Sequence, residues 1–425
     1  MLDRSTPPLY QVIDHIDIPK VQSKYLENGV ALHVLNAGEQ PVIRIELIFP
    51  AGHTVDEKKG CSYFTVKMLG EGTKHRSSKE ITAYIDQFGA FIDYNHGVDR
   101  VSISLFTLSK YLKDLLPILK ELILEPVFPE NELNNIKNIT IQNLKVNQEK
   151  NSFVASRKFR ELLFGVNHPY SSNLEEEHIL LIEPEDLKQH FEKSIFQQKF
   201  DVFLVGKVGA DEIALVDTYF GKMNFNPPLQ DKPEVVFQRS PELHHIVSKD
   251  DALQSSIRIG RELFTKSHPD YFKMAVTNEI FGGYFGSRLM KNIREEKGFT
   301  YGIYSSIVMM KHSGYLIIGT DVKKEFTVQT IKEIHKEAAK LQSTLVDQKE
   351  LETVRNYMLG SFAASLNTPF DLADAFKSIY YFGLDYSYYE NYIQAILNIQ
   401  ADEIMEMAKK YLNVDQMLEI VVGGK

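Results

Sequence analysis

Residues 60–73, GCSYFTVKMLGEGT, have the outline of a short helix with a glycine stop, and three of its positions stand where hydrolytic metal chemistry would be done. On a helix, i and i+4 face the same way and i+3 lies beside them. A His-x-x-Glu-His motif exploits that geometry, with two imidazoles gripping zinc and the carboxylate between them serving as base. Here the frame is filled by Tyr63, Val66 and Lys67. A lone phenol is a poor zinc ligand, a valine cannot take a proton, and a lysine places a cation where a dication would sit. A third ligand would arrive from a distant helix. The tract NITIQNLKV (138–146) offers Gln142, Asn143 and Leu144, and none is a carboxylate. Taken alone, the stretch is an ordinary core helix. His53, His75 and His96 lie near it without any helical i, i+4 pair and read as surface or loop histidines.

The elements that would position this helix can be read from periodicity. Residues 29–37 and 42–52 are β-branched and partly alternating, as strands are. A helix is expected over 77–89, with Ser78 as cap and Gly89 as stop, followed by a strand pair over 90–97 and 99–108. Helices follow at 112–126, despite Pro117, then over 128–165 with a break near 147–152, and at 184–195 before a strand at 200–208. Residues 224–234, NFNPPLQDKPE, form the clearest linker. Beyond it the order recurs: a strand at 256–263, helices at 270–283 and 287–298 (Ser287 as cap, Gly298 as stop), a strand pair at 299–310 and 314–322, long helices, and a strand at 417–425. PEDL at 184 and FLVG at 203 are answered by ADEI at 401 and IVVG at 420, both 217 residues on. One offset for two matches suggests a duplicated unit. The expected fold class is α+β, with each half a largely antiparallel sheet packed against helices.

The totals set outer bounds. A chain of 425 residues has room for two or three domains. A formal net charge of -9 argues against a general nucleic-acid binder. With Cys61 as the one cysteine, no intrachain disulfide can form, and a buried structural thiol is expected. No apolar leader and no 18-residue apolar run is visible, so the expected location is the cytoplasm, with no membrane span, or the periplasm had a leader been removed.

With these residues in view, the chain resembles the insulinase/pitrilysin family of inverted zinc peptidases, in particular its short two-domain members similar to mitochondrial processing peptidase. The family pattern is a glycine, small residues, the helical His/Glu/His motif and a turn ending in Gly-Thr. This chain has Gly60, Cys61 and Ser62, then Tyr63, Val66 and Lys67 in the ligand and base positions, then Gly72-Thr73. Asn143 best matches the family's distal glutamate. LEPVFPENEL (124–133), HPY (168–170), Val205-Gly206, the linker and the second half extend the resemblance along nearly the whole chain.

The resemblance implies two homologous domains, 1–223 and 235–425 around a 224–234 linker, forming one half of a clam-shell chamber. It implies no metal and no cofactor in this chain. Zinc would belong to a homologous partner with an intact motif, in a heterodimer, or the chain would pair with itself when isolated. It also points to Arg294 and Tyr301, seven residues apart, as donors to a substrate carbonyl in the partner's site. Such donors count most when that oxygen gains charge. Read without the family, Arg294 is a helix-terminal arginine beside Glu295 and Glu296, and Tyr301 a strand aromatic sharing a face with Ile303. Ile92, Asp93, Tyr94 and Asn95 fall where the family pairs an edge strand with an extended, unfolded peptide, and they equally read as an ordinary hairpin strand. The tyrosine-rich run 377–392 reads as helix packing and interface, with a share lining a cavity. Three functions follow: a zinc-free subunit of a heteromeric metallopeptidase, a non-enzymatic peptide-binding or structural subunit like respiratory core proteins, or, least favoured, an autonomous peptidase with an unusual site.

Overall fold

The computed structural model describes residues 13, 15–171, 173–225, 240–249 and 251–424. It forms two compact bodies. One comprises Pro19–His245 together with Thr368–Asp374; the other comprises Ile246–Asn367 and the chain from Ala375, with the described residues before Pro19. The expected linker lies outside the described residues from 226 onward.

In chain order the first body contains β1 (Gln22–Tyr25), β2 (Ala31–Asn36), β3 (Val42–Phe49), α1 (Cys61–Met68), α2 (Ser78–Asp86), β4 (Phe91–His96), β5 (Val101–Leu108), α3 (Leu112–Leu124), α4 (Glu130–Gln148), α5 (Asn151–Phe164), α6 (Glu176–Leu180), α7 (Pro184–Ser194), β6 (Asp201–Gly206) and α8 (Ala210–Phe220). Its sheet runs β1-β2-β6-β3-β5-β4. β2 pairs with β6 in parallel; every other neighbour is antiparallel. The break between α4 and α5 falls inside the expected window. β1 was not expected from periodicity: all four of its residues are exposed, so no apolar alternation marks it.

The helix over 78–86 is capped by Ser77 rather than Ser78. The Ser77 hydroxyl accepts from the Glu80 N–H while the Glu80 carboxylate accepts from Ser77 N–H at 2.9 Å, a reciprocal box that only the residue three before Glu80 can make.

The second body contains β7 (His244–Ser248), β8 (Gln254–Leu263), α9 (Tyr271–Asn278), β9 (Thr300–Met309), β10 (Gly314–Lys323), α10 (Thr327–Ser343), α11 (Gln348–Ala364), α12 (Pro369–Tyr380), α13 (Ser387–Asn398), α14 (Ala401–Tyr411) and β11 (Leu418–Gly423). α12 starts among the residues assigned to the first body. The sheet order β7-β11-β8-β10-β9 repeats β2-β6-β3-β5-β4 strand for strand. α7 and α14 begin at 184 and 401, and β6 and β11 end at Gly206 and Gly423, so the 217-residue offset survives as geometry. Both glycines have a positive φ, +124° and +120°.

Two expected helices of this body widen along part of their length. Glu279–Gly283 and Met290–Glu296 are π-helical turns. Gly282 explains the first: a Cβ there would lie 2.8 Å from the Ser305 backbone nitrogen, so the helix presses directly on β9. Ser287 does not cap, since its hydroxyl is buried without a hydrogen-bond partner among the described residues.

Each body closes over its own apolar core, one centred on β3, α1, α3 and β6, the other on β8, α9, α10 and α14. A buried arginine interrupts the first sheet. Arg44 on β3 reaches Asp374 Oδ1 at 2.7 Å and Oδ2 at 3.3 Å, and its guanidinium lies over Phe370, 5.3 Å from the ring centre. A charge this buried is tolerable only when paired, and Asp374 supplies the closer of two carboxylates, the other being the buried Glu46 of the same strand at 3.8 Å.

Gly206→Ala tests the strand terminus. A Cβ there would sit 2.0 Å from the Val42 carbonyl oxygen, at a φ that L-residues avoid. The change is expected to destabilise by about 3 kcal/mol or more in urea denaturation. Gly89→Ala, also at positive φ but with nothing within 4 Å of the added carbon, is expected to cost only about 1 kcal/mol. Equal losses would contradict the packing account.

Candidate functional site

α1 is set by its start. The Asp56 carboxylate accepts from the backbone N–H of Ser62 at 2.7 Å and of Gly60 at 3.1 Å, at the end of the helix where unpaired donors favour an anion. Gly60 takes φ +96°, and a Cβ there would meet Leu174 at 2.8 Å. The helix then buries Cys61, Ser62, Phe64, Thr65, Val66 and Met68. Burial first, then the carboxylates of Asp56 and Asp186, push the Cys61 thiol up to about 12, as fits a structural thiol.

The four positions matching the family's metal motif separate. Tyr63 and Asn143 line one pocket of about 450 Å³, walled by α1, the end of β4, α4 and α5. Val66 is 0% exposed and belongs to the apolar core. Lys67 is exposed and does not line the pocket. Tyr63 stands edge-on to Phe64 and to His96, with centroids at 5.1 and 5.6 Å.

Surface or loop positions are expected for His53 and His96; His53 does stand in the turn between β3 and α1, while His96 ends β4. Both are half-buried on the pocket wall, with ring centres 5.6 Å apart. His53 Nε2 lies 2.7 Å from the Pro169 carbonyl oxygen and donates to it; His96 Nε2 is 2.8 Å from Ser62 Oγ. Their approach follows from the hairpin after β4, where His53 N–H bonds to the Gly97 carbonyl oxygen at 3.4 Å, a contact that sequence spacing does not reveal. Burial, reinforced by His53, His190 and Lys67, lowers His96 from its usual 6.5 to about 4. Burial likewise lowers His53, against its bond to Pro169. His75 is exposed and reaches Glu125 at 2.7 Å.

This donor set does not fit a catalytic zinc ion. A valine occupies the base position inside the core, the lysine brings positive charge to the neighbourhood, and each histidine already has one ring nitrogen engaged. Among the described residues no group of three or more His, Cys, Asp or Glu side chains is placed to hold a metal ion.

Ile92, Asp93, Tyr94 and Asn95 lie on β4, the edge of the first sheet. Ile92 and Tyr94 are half-buried, while Asp93 and Asn95 are exposed and hydrogen-bonded to each other at 2.9 Å. Tyr94 packs so closely on the turn after α1 that a Cβ on Gly70 would lie 2.5 Å from its hydroxyl.

In the second body, Arg294 sits on the π-helical turn 290–296, which is held from beneath by Asn292 Nδ2 bonds to Glu333 at 2.9 Å and Glu337 at 2.6 Å. Its guanidinium stacks on Phe285, 4.5 Å from the ring centre, and forms no hydrogen bond or ion pair among the described residues, including with Glu295 and Glu296. Tyr301 is 97% exposed. It does not share the buried face of Ile303. β9 carries one extra residue there, because Ile303 pairs with Thr320 but Thr300 with Val322, and this bulge turns Tyr301 outward. No hydrogen bond or ring contact joins Arg294 to Tyr301.

A second pocket, of about 380 Å³, lies wholly within the second body, where three tyrosines of the 377–392 run, Tyr388, Tyr389 and Tyr392, meet Lys266 and Glu279. Nothing in the local sequence around Lys266 or Glu279 marks them as neighbours; only the tyrosine run gave a signal. No helix among the described residues is long and apolar enough to cross a membrane.

Two family descriptions match the chain: Insulinase (Peptidase family M16) over residues 33–168, and Peptidase M16 inactive domain over residues 182–358. The chain is similar to the non-peptidase homolog YmxG of Helicobacter pylori, 26% identical over 98% of this chain and 94% of that protein. It is also similar to an uncharacterized zinc protease, YmxG of Bacillus subtilis, 23% identical over 80% and 83% of the two chains. Among solved structures, a peptidase M16 inactive domain from Pseudomonas fluorescens matches with a TM-score of 0.84 at 25% identity, covering 95% of this chain and 98% of the other.

The buried imidazole gives a pH signature. A His lowered in the folded state stays neutral where the unfolded chain has already taken a proton. Stability is therefore intact above 6.5, falls as pH drops from 6.5 towards 4, and levels off below. His96 is expected to be neutral at pH 5 with an NMR titration midpoint near 4, and His96→Gln should flatten part of the stability loss in that window. A midpoint at 6.5 would refute the buried placement.

Proposed function

We propose that this chain, which belongs to the insulinase family (peptidase M16), is the zinc-free subunit of a two-chain peptidase, lending substrate contacts to a homologous chain that holds the metal. The observation that carries this reading is a contrast within one polypeptide. The positions that would hold and use zinc are Tyr63, Val66, Lys67 and Asn143, whereas Arg294 keeps its donors free of internal partners and Tyr301 offers its hydroxyl fully to solvent. Neither group is committed to an internal hydrogen bond among the described residues, so both remain available to another molecule. In the assembled enzyme the guanidinium and phenol would donate to the scissile carbonyl oxygen as it gains negative charge, and hydrolysis would proceed at the partner's metal. The bare edge of β4, with Ile92, Asp93, Tyr94 and Asn95, would hold an unfolded peptide as an added strand.

A second reading, a non-enzymatic peptide-binding or structural subunit, is favoured by one observation. Arg294 stacks on Phe285 and does not touch Tyr301, an arrangement that serves packing as it stands. The relative named a non-peptidase homolog is in keeping with either reading.

Co-expression with a homologous chain carrying an intact His-x-x-Glu-His motif, followed by a peptidase assay on the purified assembly, separates the two. Arg294→Ala and Tyr301→Phe are each expected to lower kcat by about 10²–10³-fold without dissolving the complex. Unchanged rates in an intact assembly would leave only the structural reading.

A further inference from the structure

The second pocket has no part in the peptidase reading, yet it stands in the second body where the vacated metal pocket stands in the first. By chain order and sheet order α9 answers to α1, β9 to β4 and α11 to α4, and the two pockets are walled by these corresponding elements. The fold thus shapes the same recess twice. In the second body it is furnished with two opposite charges that lack counterparts.

Lys266 donates one hydrogen bond, to the Ser378 carbonyl oxygen at 3.0 Å, and lies 5.0 Å from the Phe382 ring centre. An ammonium has three N–H groups, so two remain. The Glu279 carboxylate makes no hydrogen bond or ion pair among the described residues. The two side chains form no ion pair with each other, so neither relieves the other's burial. That burial lowers the lysine's pKa and raises the glutamate's. Keeping an ammonium and a carboxylate half-desolvated and apart is costly unless something enters between them. The rest of the wall is mixed. Phe362 and the rings of Tyr271, Tyr388 and Tyr392 offer apolar surface, beside Asn278, Ser305 and Ser378, whose side chains are already hydrogen-bonded within the protein, and Ser306. Its volume is on the scale of small-molecule sites.

We propose that this cavity binds a small zwitterion, an α-amino acid with an apolar or aromatic side chain. The ligand's ammonium meets Glu279, its carboxylate meets Lys266, and its side chain lies against the tyrosine and phenylalanine rings. The site is complete within the second body and needs neither a partner chain nor a metal, so it stands or falls independently of the peptidase reading.

Calorimetric titration of the full chain with L-phenylalanine and L-leucine tests it, beside phenylalanine amide and N-acetyl-phenylalanine, each of which removes one charge. The free amino acids are expected to bind, and both blocked forms to bind at least about tenfold more weakly. Glu279→Gln and Lys266→Met should each reproduce one of those losses, with thermal denaturation confirming folding; if a variant fails to fold, the blocked ligands still decide. No heat from either amino acid up to about 10 mM, or a blocked form binding as tightly as the free one, overturns the proposal.

Discussion

The apolar inner face of α1 is the constraint on which the chemistry of this chain depends. Val66 is sealed in the core at the position from which a carboxylate would have to act. An ionised side chain there would be surrounded by hydrocarbon, where it neutralises or destabilises the fold unless a metal and water compensate it. The same helix that would deliver a general base therefore delivers packing. Tyr63 and Asn143 remain around a recess whose histidines are held neutral by burial. The frame of a hydrolytic site persists because the frame is also the core.

That frame occurs twice. Both sheets place the strand that follows the first two helical segments at an edge, and the last strand of each ends on a glycine at positive φ. The repeats then diverge in local detail. The first body has regular α-helices around its pocket, while the second has widened turns and a bulged edge strand. Each irregularity re-aims a side chain. The bulge sends Tyr301 into solvent, and the widened turn at Glu279 brings its carboxylate to the cavity wall. The scaffold repeats, and the irregularities distinguish what the halves present.

What could be read from the sequence was what short-range order determines. The helical frame of residues 63–67 and the 217-residue offset depend on periods of a few residues and emerged intact. The cap at Ser77 was missed by one place, because two adjacent serines are alike until Glu80 selects the one three before it. The outward turn of Tyr301 was hidden, since alternation along a strand holds only while the register across it is unbroken. The approach of His53 to His96, and the placing of Lys266 and Glu279 around one cavity, depend on tertiary packing of segments that carry no mutual signal. β1 escaped notice because none of its residues enters the core.

The bond between Arg44 and Asp374 spans 330 positions of chain. During synthesis, β3 and its neighbours emerge from the ribosome long before their counter-ion does. Until the start of α12 is made, the carboxylate within reach of that guanidinium is Glu46 of its own strand, at 3.8 Å, and the closer two-oxygen pairing with Asp374 must wait. The first body is thus completed by residues translated after most of the second.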